Sequence, residues 1–119
     1  MGQIIMDKIE KTLLELGIPA NLKGFAYIHR ALELLLGDEK RYGGLHHRLY
    51  RQIMVDFNVS ESAVYAGMRH AVTAAFDNMP PAIQEKYFGN SIAYQKGAAT
   101  IKQFLYTLTR RLRHDDEGR

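Results

Sequence analysis

The basic side chains between residues 40 and 76 stand out, and the chemistry they suit is contact with phosphate groups. They are Lys40, Arg41, Arg48, Arg51 and Arg69. Only Asp56 and Glu61 oppose them, so five minus two leaves an excess of three positive charges, which equals the net charge of +3 of all 119 residues. Such concentration of charge is what contact with a nucleic-acid backbone requires, although a solvated basic face has the same composition.

Histidines and cysteines add no catalytic or metal-binding pattern. The sequence has five histidines and no cysteine. His46 and His47 are adjacent and point about 100° apart on a helix, whereas ligands on one helical face are three or four residues apart. No carboxylate pair, glycine-rich phosphate loop or nucleophile motif accompanies them. We therefore expect no enzyme, no metal and no cofactor, and the lack of cysteine fits a reducing, cytoplasmic location.

Two helices joined by a short turn are predicted over about residues 44–76, and they carry three of the arginines. In the first helix, about residues 44–57, apolar side chains recur every four residues, at Leu45, Leu49, Ile53 and Phe57. Asn58 then suits a left-handed turn residue, and Ser60 is placed to cap the second helix with its hydroxyl. The pattern predicts a helix-turn-helix, although an ordinary helical hairpin of a bundle has the same spacing.

The second helix of this pair is expected to turn one row of side chains outward. Its apolar, inward stripe is Val64, Met68, Ala71, Val72 and Ala75. A recognition helix reads base edges in the major groove with the opposite row. With the flanking arginines and the capping serine, the candidate DNA-binding residues are Arg48, Arg51, Ser60, Ser62, Tyr65, Arg69, His70 and Thr73.

Two residues of this helix have two interpretations each. Tyr65 suits packing against a thymine methyl group or a sugar, and it suits a protein contact equally well. Gly67 inside the helix costs about 1 kcal/mol relative to alanine. It indicates either the close approach of another helix or a weakened helix.

Residues 1–119 are predicted to form one all-α domain, because this length suits a single domain and no strand pattern or repeat occurs. Six helices are expected, over about residues 4–16, 24–36, 44–57, 60–76, 81–88 and 100–113. Asn21 is expected to cap the second helix. Residues 38–44 should form a loop, residues 90–99 an irregular segment and residues 115–119 a disordered tail. No apolar run is long enough to span a bilayer, so we expect no membrane association.

A basic cluster closes the last predicted helix, at Arg110, Arg111, Arg113 and His114. These side chains suit the negative end of the helix dipole. A second set of phosphate contacts explains them equally well.

Several short motifs occur in register along the sequence. They are GIPANLKG at residues 17–24, Tyr27, Leu49-Tyr50, Phe57-Asn58, Val64, Arg69-His70-Ala71 and Phe88-Gly89. In their order and residue identities, these motifs resemble the C-terminal DNA-binding domain of the sporulation master response regulator of spore-forming bacteria. The resemblance covers nearly the whole chain. The resemblance implies six helices, with a helix-turn-helix in the third and fourth that binds short DNA boxes, often as a tandem dimer.

The resemblance also implies partners beyond double-stranded DNA. Residues of about 77–89 would contact the sigma subunit of RNA polymerase, and the final helix, about residues 100–113, would pair two copies as a homodimer on DNA. Response regulators of this family carry a receiver domain ahead of the effector, and these 119 residues contain no such α/β unit. The chain is then either an excised effector domain or a stand-alone relative.

The recognition helix departs from the family pattern at three positions. The resemblance implies an arginine, a glutamate and a second arginine where this chain has Ala63, Tyr65 and Ala66. Each arginine–guanine contact contributes about 1–3 kcal/mol of discrimination, so we expect relaxed or redirected sequence choice while phosphate contacts persist. The alternative is a protein-interaction module, in which this small, aromatic-bearing face binds the sigma subunit or another regulator instead of DNA.

Overall fold

The computed structural model describes residues 2–44, 46–89 and 100–117, with side chains described for residues 8–44, 47–89 and 100–115. This part of the chain forms seven helices and no strand. They are α1 (Gly2–Glu15), α2 (Lys23–Gly37), α3 (Glu39–Tyr42), α4 (His46–Phe57), α5 (Glu61–Asn78), α6 (Pro81–Phe88) and α7 (Ile101–Glu117). The predicted all-α class is confirmed. None of these helices is long and apolar enough to cross a membrane.

The predicted count of six helices is wrong because the expected loop at residues 38–44 contains the one-turn helix α3. The Asp38 side chain accepts a hydrogen bond from the backbone N–H of Arg41 at 3.2 Å, and Glu39 lies in the first turn. A side-chain cap and an acidic first residue are sufficient local signals for a single helical turn.

Two helix ends also differ from the prediction. Leu22, not Asn21, precedes α2, and no side chain caps that helix, so the predicted role of Asn21 is wrong. The last helix continues to Glu117, four residues beyond its predicted end, so residues 115–117 are helical and not a disordered tail. The predicted irregular segment at 90–99 and the predicted apolar position Leu45 lie outside the described residues.

The core forms around α2, which packs against α1, α4, α5 and α7. Its fully buried side chains include Ile9, Leu13, Ile28, Leu32, Ile53, Met68, Phe104 and Leu108. Leu36 and Met54 lie at the margin of the core, and Phe57, which belongs to the predicted apolar stripe of the first hairpin helix, is 37% exposed. The Phe57 ring instead packs edge-on against Tyr27, with centroids 5.2 Å apart.

α2 and α5 cross without side chains between them, at Gly24 and Gly67. A Cβ atom on Gly24 would lie 2.0 Å from the carbonyl oxygen of Gly67, and a Cβ on Gly67 would lie 2.8 Å from the Tyr27 ring. The backbones therefore meet as closely as two helices allow, which decides between the two interpretations of Gly67. The glycine marks a close helix approach.

α6 is fastened to α1 through polar contacts of Glu15. The Tyr87 hydroxyl donates a 2.6 Å hydrogen bond to this carboxylate, and the Lys86 ammonium lies 3.4 Å away. The Tyr87 bond is the largest cause that lowers the pKa of Glu15. Burial and the Glu15 contact raise the pKa of Tyr87 to about 12, so Tyr87 remains a hydrogen-bond donor at neutral pH.

Two arginines of α7 cap the C-terminal ends of other helices. The Arg113 guanidinium donates to the carbonyl oxygens of Leu35 (3.0 Å) and Leu36 (3.3 Å) at the end of α2, and it pairs with Glu39. The Arg111 guanidinium donates to the carbonyl oxygen of Lys86, in the last turn of α6, at 2.6 Å. For these two residues the prediction of an interaction with their own helix dipole is wrong, because the helix continues past them and their partners are carbonyls of neighbouring helices.

Candidate nucleic-acid interface

The turn between α4 and α5 is defined by three short-range interactions. Asn58 has φ = 54°, the left-handed conformation that the sequence predicts for it. The N–H of Val59 donates to the carbonyl oxygen of Met54 at 3.1 Å, and the Ser60 hydroxyl accepts from the N–H of Ala63 at 3.1 Å. Both the turn residue and the helix cap are confirmed, and they set the angle at which α5 leaves α4.

The two sides of α5 divide as the sequence predicts. The inward stripe is buried, at Val64, Met68, Ala71, Val72 and Ala75. The opposite row is exposed, at Ser62, Tyr65, Ala66, Arg69, His70 and Thr73. Tyr65 is the most prominent member of that row, with 54% of its surface exposed. The hairpin thus presents one polar, aromatic-bearing helix face to solvent.

Arg48 and Arg51 of α4 flank this face. Both are exposed, and neither forms an ion pair with another residue of the described chain. Asp56, one of the two acids of the segment, is eight residues beyond Arg48. The Arg30 guanidinium of α2 lies 2.6 Å from the Asp56 carboxylate and lowers the pKa of that carboxyl group. The negative charge of Asp56 is therefore paired with Arg30 and not with Arg48 or Arg51.

A groove separates the N-terminal halves of α4 and α5. It is lined by His47, Tyr50, Glu61, Ser62 and Tyr65. Tyr50 forms its inner wall and is mostly buried, and this burial raises the pKa of its hydroxyl. Glu61 is the acid that remains beside the exposed face.

A second cleft joins α5 to the start of α7. Tyr50, Tyr65 and Arg69 line one side of it, and Thr100, Ile101 and Lys102 line the other. Lys102 is a basic residue that the sequence did not predict at this site. The position of Lys102 along the chain, 33 residues after Arg69, carries no signal of this proximity.

A capping box orders the beginning of α7. The Thr100 hydroxyl accepts from the N–H of Gln103 at 3.1 Å, and the Gln103 side-chain oxygen accepts from the N–H of Thr100 at 2.9 Å. The T-x-x-Q pattern at residues 100–103 is a recognisable signal for this arrangement.

The predicted site residues fall into three groups. Ser62, Tyr65 and Arg69 line the groove or the cleft. Arg48, Arg51, His70 and Thr73 are exposed on the same hairpin and line neither. Ser60 is exposed, but its hydroxyl is used by the helix cap and lies 3.4 Å from the Ser62 hydroxyl. Among residues with described side chains, no group of three His, Asp or Glu residues is arranged to hold a metal ion.

The sequence of these helices matches a known protein family. The family model described as "Sporulation initiation factor Spo0A C terminal" matches residues 9–112, from α1 into α7. The chain belongs to this family. The resemblance carried by the sequence motifs is therefore confirmed.

Membership of the Spo0A C-terminal family sets the class of activity that this fold serves. The family comprises DNA-binding regulatory domains of a sporulation response regulator and is not a family of enzymes.

Proposed function

We propose that this chain is a DNA-binding transcription regulator in which α4 and α5 act as a helix-turn-helix. The N-terminal half of α5 enters the major groove, with Ser62, Tyr65 and Arg69 toward the bases. Arg48 and Arg51 contact phosphates on the flanking backbone. His70 and Thr73 lie further along α5, beside the backbone where the helix leaves the groove.

The observation that carries this proposal is the composition of the exposed hairpin face. Polar and aromatic side chains of α5 share that face with Arg48 and Arg51, whose charge is not matched by an acidic partner in the described chain. Phosphate contact needs cations that are available, and base reading needs an exposed helical row beside them.

We further propose that sequence discrimination is weaker than the family pattern implies. Tyr65 and Ala66 are exposed where the family pattern has long polar side chains, and Ala63 is half-buried. Methyl and phenol groups cannot form the bidentate hydrogen bonds by which arginine distinguishes guanine. Binding would then depend more on phosphates, which carry no sequence information directly.

Fluorescence anisotropy on labelled duplexes tests the proposal. One duplex carries a family-type box and the other a scrambled sequence, each titrated across a salt series. We expect binding that weakens as salt rises, by about one log unit per log salt for each phosphate contacted, with a small difference between duplexes. Arg51→Ala should lower the affinity on both duplexes and reduce the slope by about one.

Lys11→Ala is the matched control, because Lys11 is an exposed cation on α1 that lines neither the groove nor the cleft. It should bind as the wild type does. Absence of binding at low salt would contradict the proposal and favour the protein-interaction module, in which the Tyr65 face docks on another regulator. Contact of α6 with the sigma subunit and pairing of copies through α7 stay predictions from the family.

A further inference from the structure

The outer face of α7 carries a continuous stripe of exposed side chains. Lys102, Tyr106 and Arg110 are spaced four residues apart, so they follow one another along the same side of the helix. Lys102 and Tyr106 line a common depression, and the Arg110 guanidinium lies 5.5 Å from the centre of the Tyr106 ring. We call these three residues the α7 stripe.

The two cations of the stripe differ from the other arginines of α7 in what they contact. Arg111 and Arg113 are occupied by carbonyl oxygens at the ends of α6 and α2. Lys102 and Arg110 are exposed and form no ion pair within the described part of the chain. Capping of neighbouring helices therefore explains the presence of Arg111 and Arg113, but it does not explain the exposed charges of Lys102 and Arg110.

The acid that shares the depression with the stripe is already paired. Glu39 lines the same depression as Lys102 and Tyr106. Its carboxylate is paired with Arg113, so that negative charge is compensated within the fold. The stripe consequently presents two positive charges on either side of an aromatic ring that is 53% exposed.

The stripe begins where the α5 face ends. Lys102 lines the cleft that Tyr65 and Arg69 line from the other side. The reciprocal hydrogen bonds of Thr100 and Gln103 order the first turn of α7, on which Lys102 lies. The basic surface of the hairpin thus continues onto α7.

We propose that the α7 stripe is a second line of contact with the DNA backbone, continuous with the hairpin face. Lys102 and Arg110 are about 12 Å apart along the helix, at about 1.5 Å per residue, so each contacts a different phosphate. Tyr106 packs between them against the sugar. The partner is duplex DNA because the surface offers separated cations and an aromatic ring, which match the repeating charge and sugars of a backbone. This inference rests on the proposed function.

The salt dependence of binding to a duplex with a single box tests the stripe. The duplex is kept to the length of one box so that pairing of copies along the DNA does not contribute. Lys102→Gln and Arg110→Gln should each lower affinity roughly five- to tenfold at 0.1 M salt, equally on box and scrambled duplexes, and each should reduce the slope of log affinity against log salt by about one. Lys11→Gln is the control and should leave both quantities unchanged.

Each other outcome has a distinct meaning. If wild type binds and Arg51→Ala weakens it, but the α7 variants behave as Lys11→Gln does, the stripe is overturned and the proposed function stands. If wild type binds no duplex, both are overturned. If the α7 variants lose affinity only on a two-box duplex, with altered dependence on protein concentration, the stripe pairs protein copies and the backbone contact is overturned. Circular dichroism and urea unfolding of each variant exclude misfolding as the cause of a loss.

Discussion

At the scale of single residues, the hairpin carries exposed cations beside an α5 face with few long polar side chains. Arg48, Arg51 and Arg69 supply cations, while Tyr65 and Ala66 occupy exposed positions where the family resemblance implies charged side chains. Ala63 is half-buried beside the Ser60 cap, but only its backbone N–H takes part in that cap. Its side chain is therefore replaceable without loss of the capping bond.

Three positions of α5 can be changed to the side chains that the family resemblance implies. The triple variant Ala63→Arg, Tyr65→Glu, Ala66→Arg should increase discrimination between the family-type box and the scrambled duplex. Each arginine that gains a guanine contributes about 1–3 kcal/mol, or roughly five- to 150-fold. Competition anisotropy at one salt concentration measures the ratio of the two affinities. An unchanged ratio, in a variant that still folds and binds, would show that α5 does not lie in the groove as proposed.

At the scale of elements, the position of α5 depends on its crossing with α2. The crossing has no side chain to adjust, because the backbone at Gly24 meets the backbone at Gly67. Tyr27, which covers Gly67, is itself held edge-on by Phe57 at the end of α4. The three helices α2, α4 and α5 therefore form one packed unit that carries the candidate interface.

Substitution of the two glycines should have unequal effects. Gly24→Ala places a Cβ atom against the carbonyl oxygen of Gly67 and should destabilise the fold by about 3 kcal/mol or more, because backbone must move. Gly67→Ala meets the ring of Tyr27, and a helix-propensity gain of about 1 kcal/mol offsets part of that cost. Urea unfolding compares the two variants.

Gly37→Ala is the matched control for these two variants. A Cβ atom there has no neighbour within 4 Å, so the change should be neutral or slightly stabilising. Equal stability of Gly24→Ala and Gly37→Ala would contradict the close crossing.

At the scale of the whole molecule, carboxylates join elements that are far apart in sequence. Asp56 connects α4 to α2 through Arg30, and Glu15 connects α1 to α6 through Tyr87. Both contacts lower the pKa of the carboxyl group in the folded protein. A lowered folded pKa gives stability that is present above the unfolded pKa and is lost as pH falls through the folded pKa.

The free energy of unfolding should therefore be nearly constant from pH 7 to about 5 and should fall as acid titrates these carboxyls, beginning near pH 4.5, the ordinary pKa of a glutamate. Asp56→Asn and Glu15→Gln should each lower stability at pH 7 and flatten the acid loss. Urea unfolding at pH 3.5, 4.5 and 7 measures this.

Glu85→Gln is the control, because Glu85 is an exposed residue of α6 that forms no ion pair within the described part of the chain. This variant should lose stability in acid as the wild type does. A steeper loss in Asp56→Asn would contradict the assignment.

How much of this molecule was predictable depends on how local each signal is. Asn58 and Ser60 act on residues within a few positions of themselves, so the hairpin turn and the buried stripe of α5 were predicted correctly. The helix caps formed by Asp38 and Thr100 also depend on neighbouring residues alone, but they were not predicted. The sequence could not reveal that Gly67 meets Gly24 or that Lys102 approaches Arg69, because both depend on how distant helices pack.

The arginine caps of α7 have a consequence for the order in which the chain completes its fold. Arg113 and the carbonyl of Leu35 that it satisfies are 78 residues apart, and contacts of such long sequence separation form late because they require closure of a long loop. During synthesis, α2 leaves the ribosome well before its capping residue exists. We therefore expect the last carbonyl groups of α2, like that of Lys86 in α6, to stay hydrated until α7 emerges and packs against them.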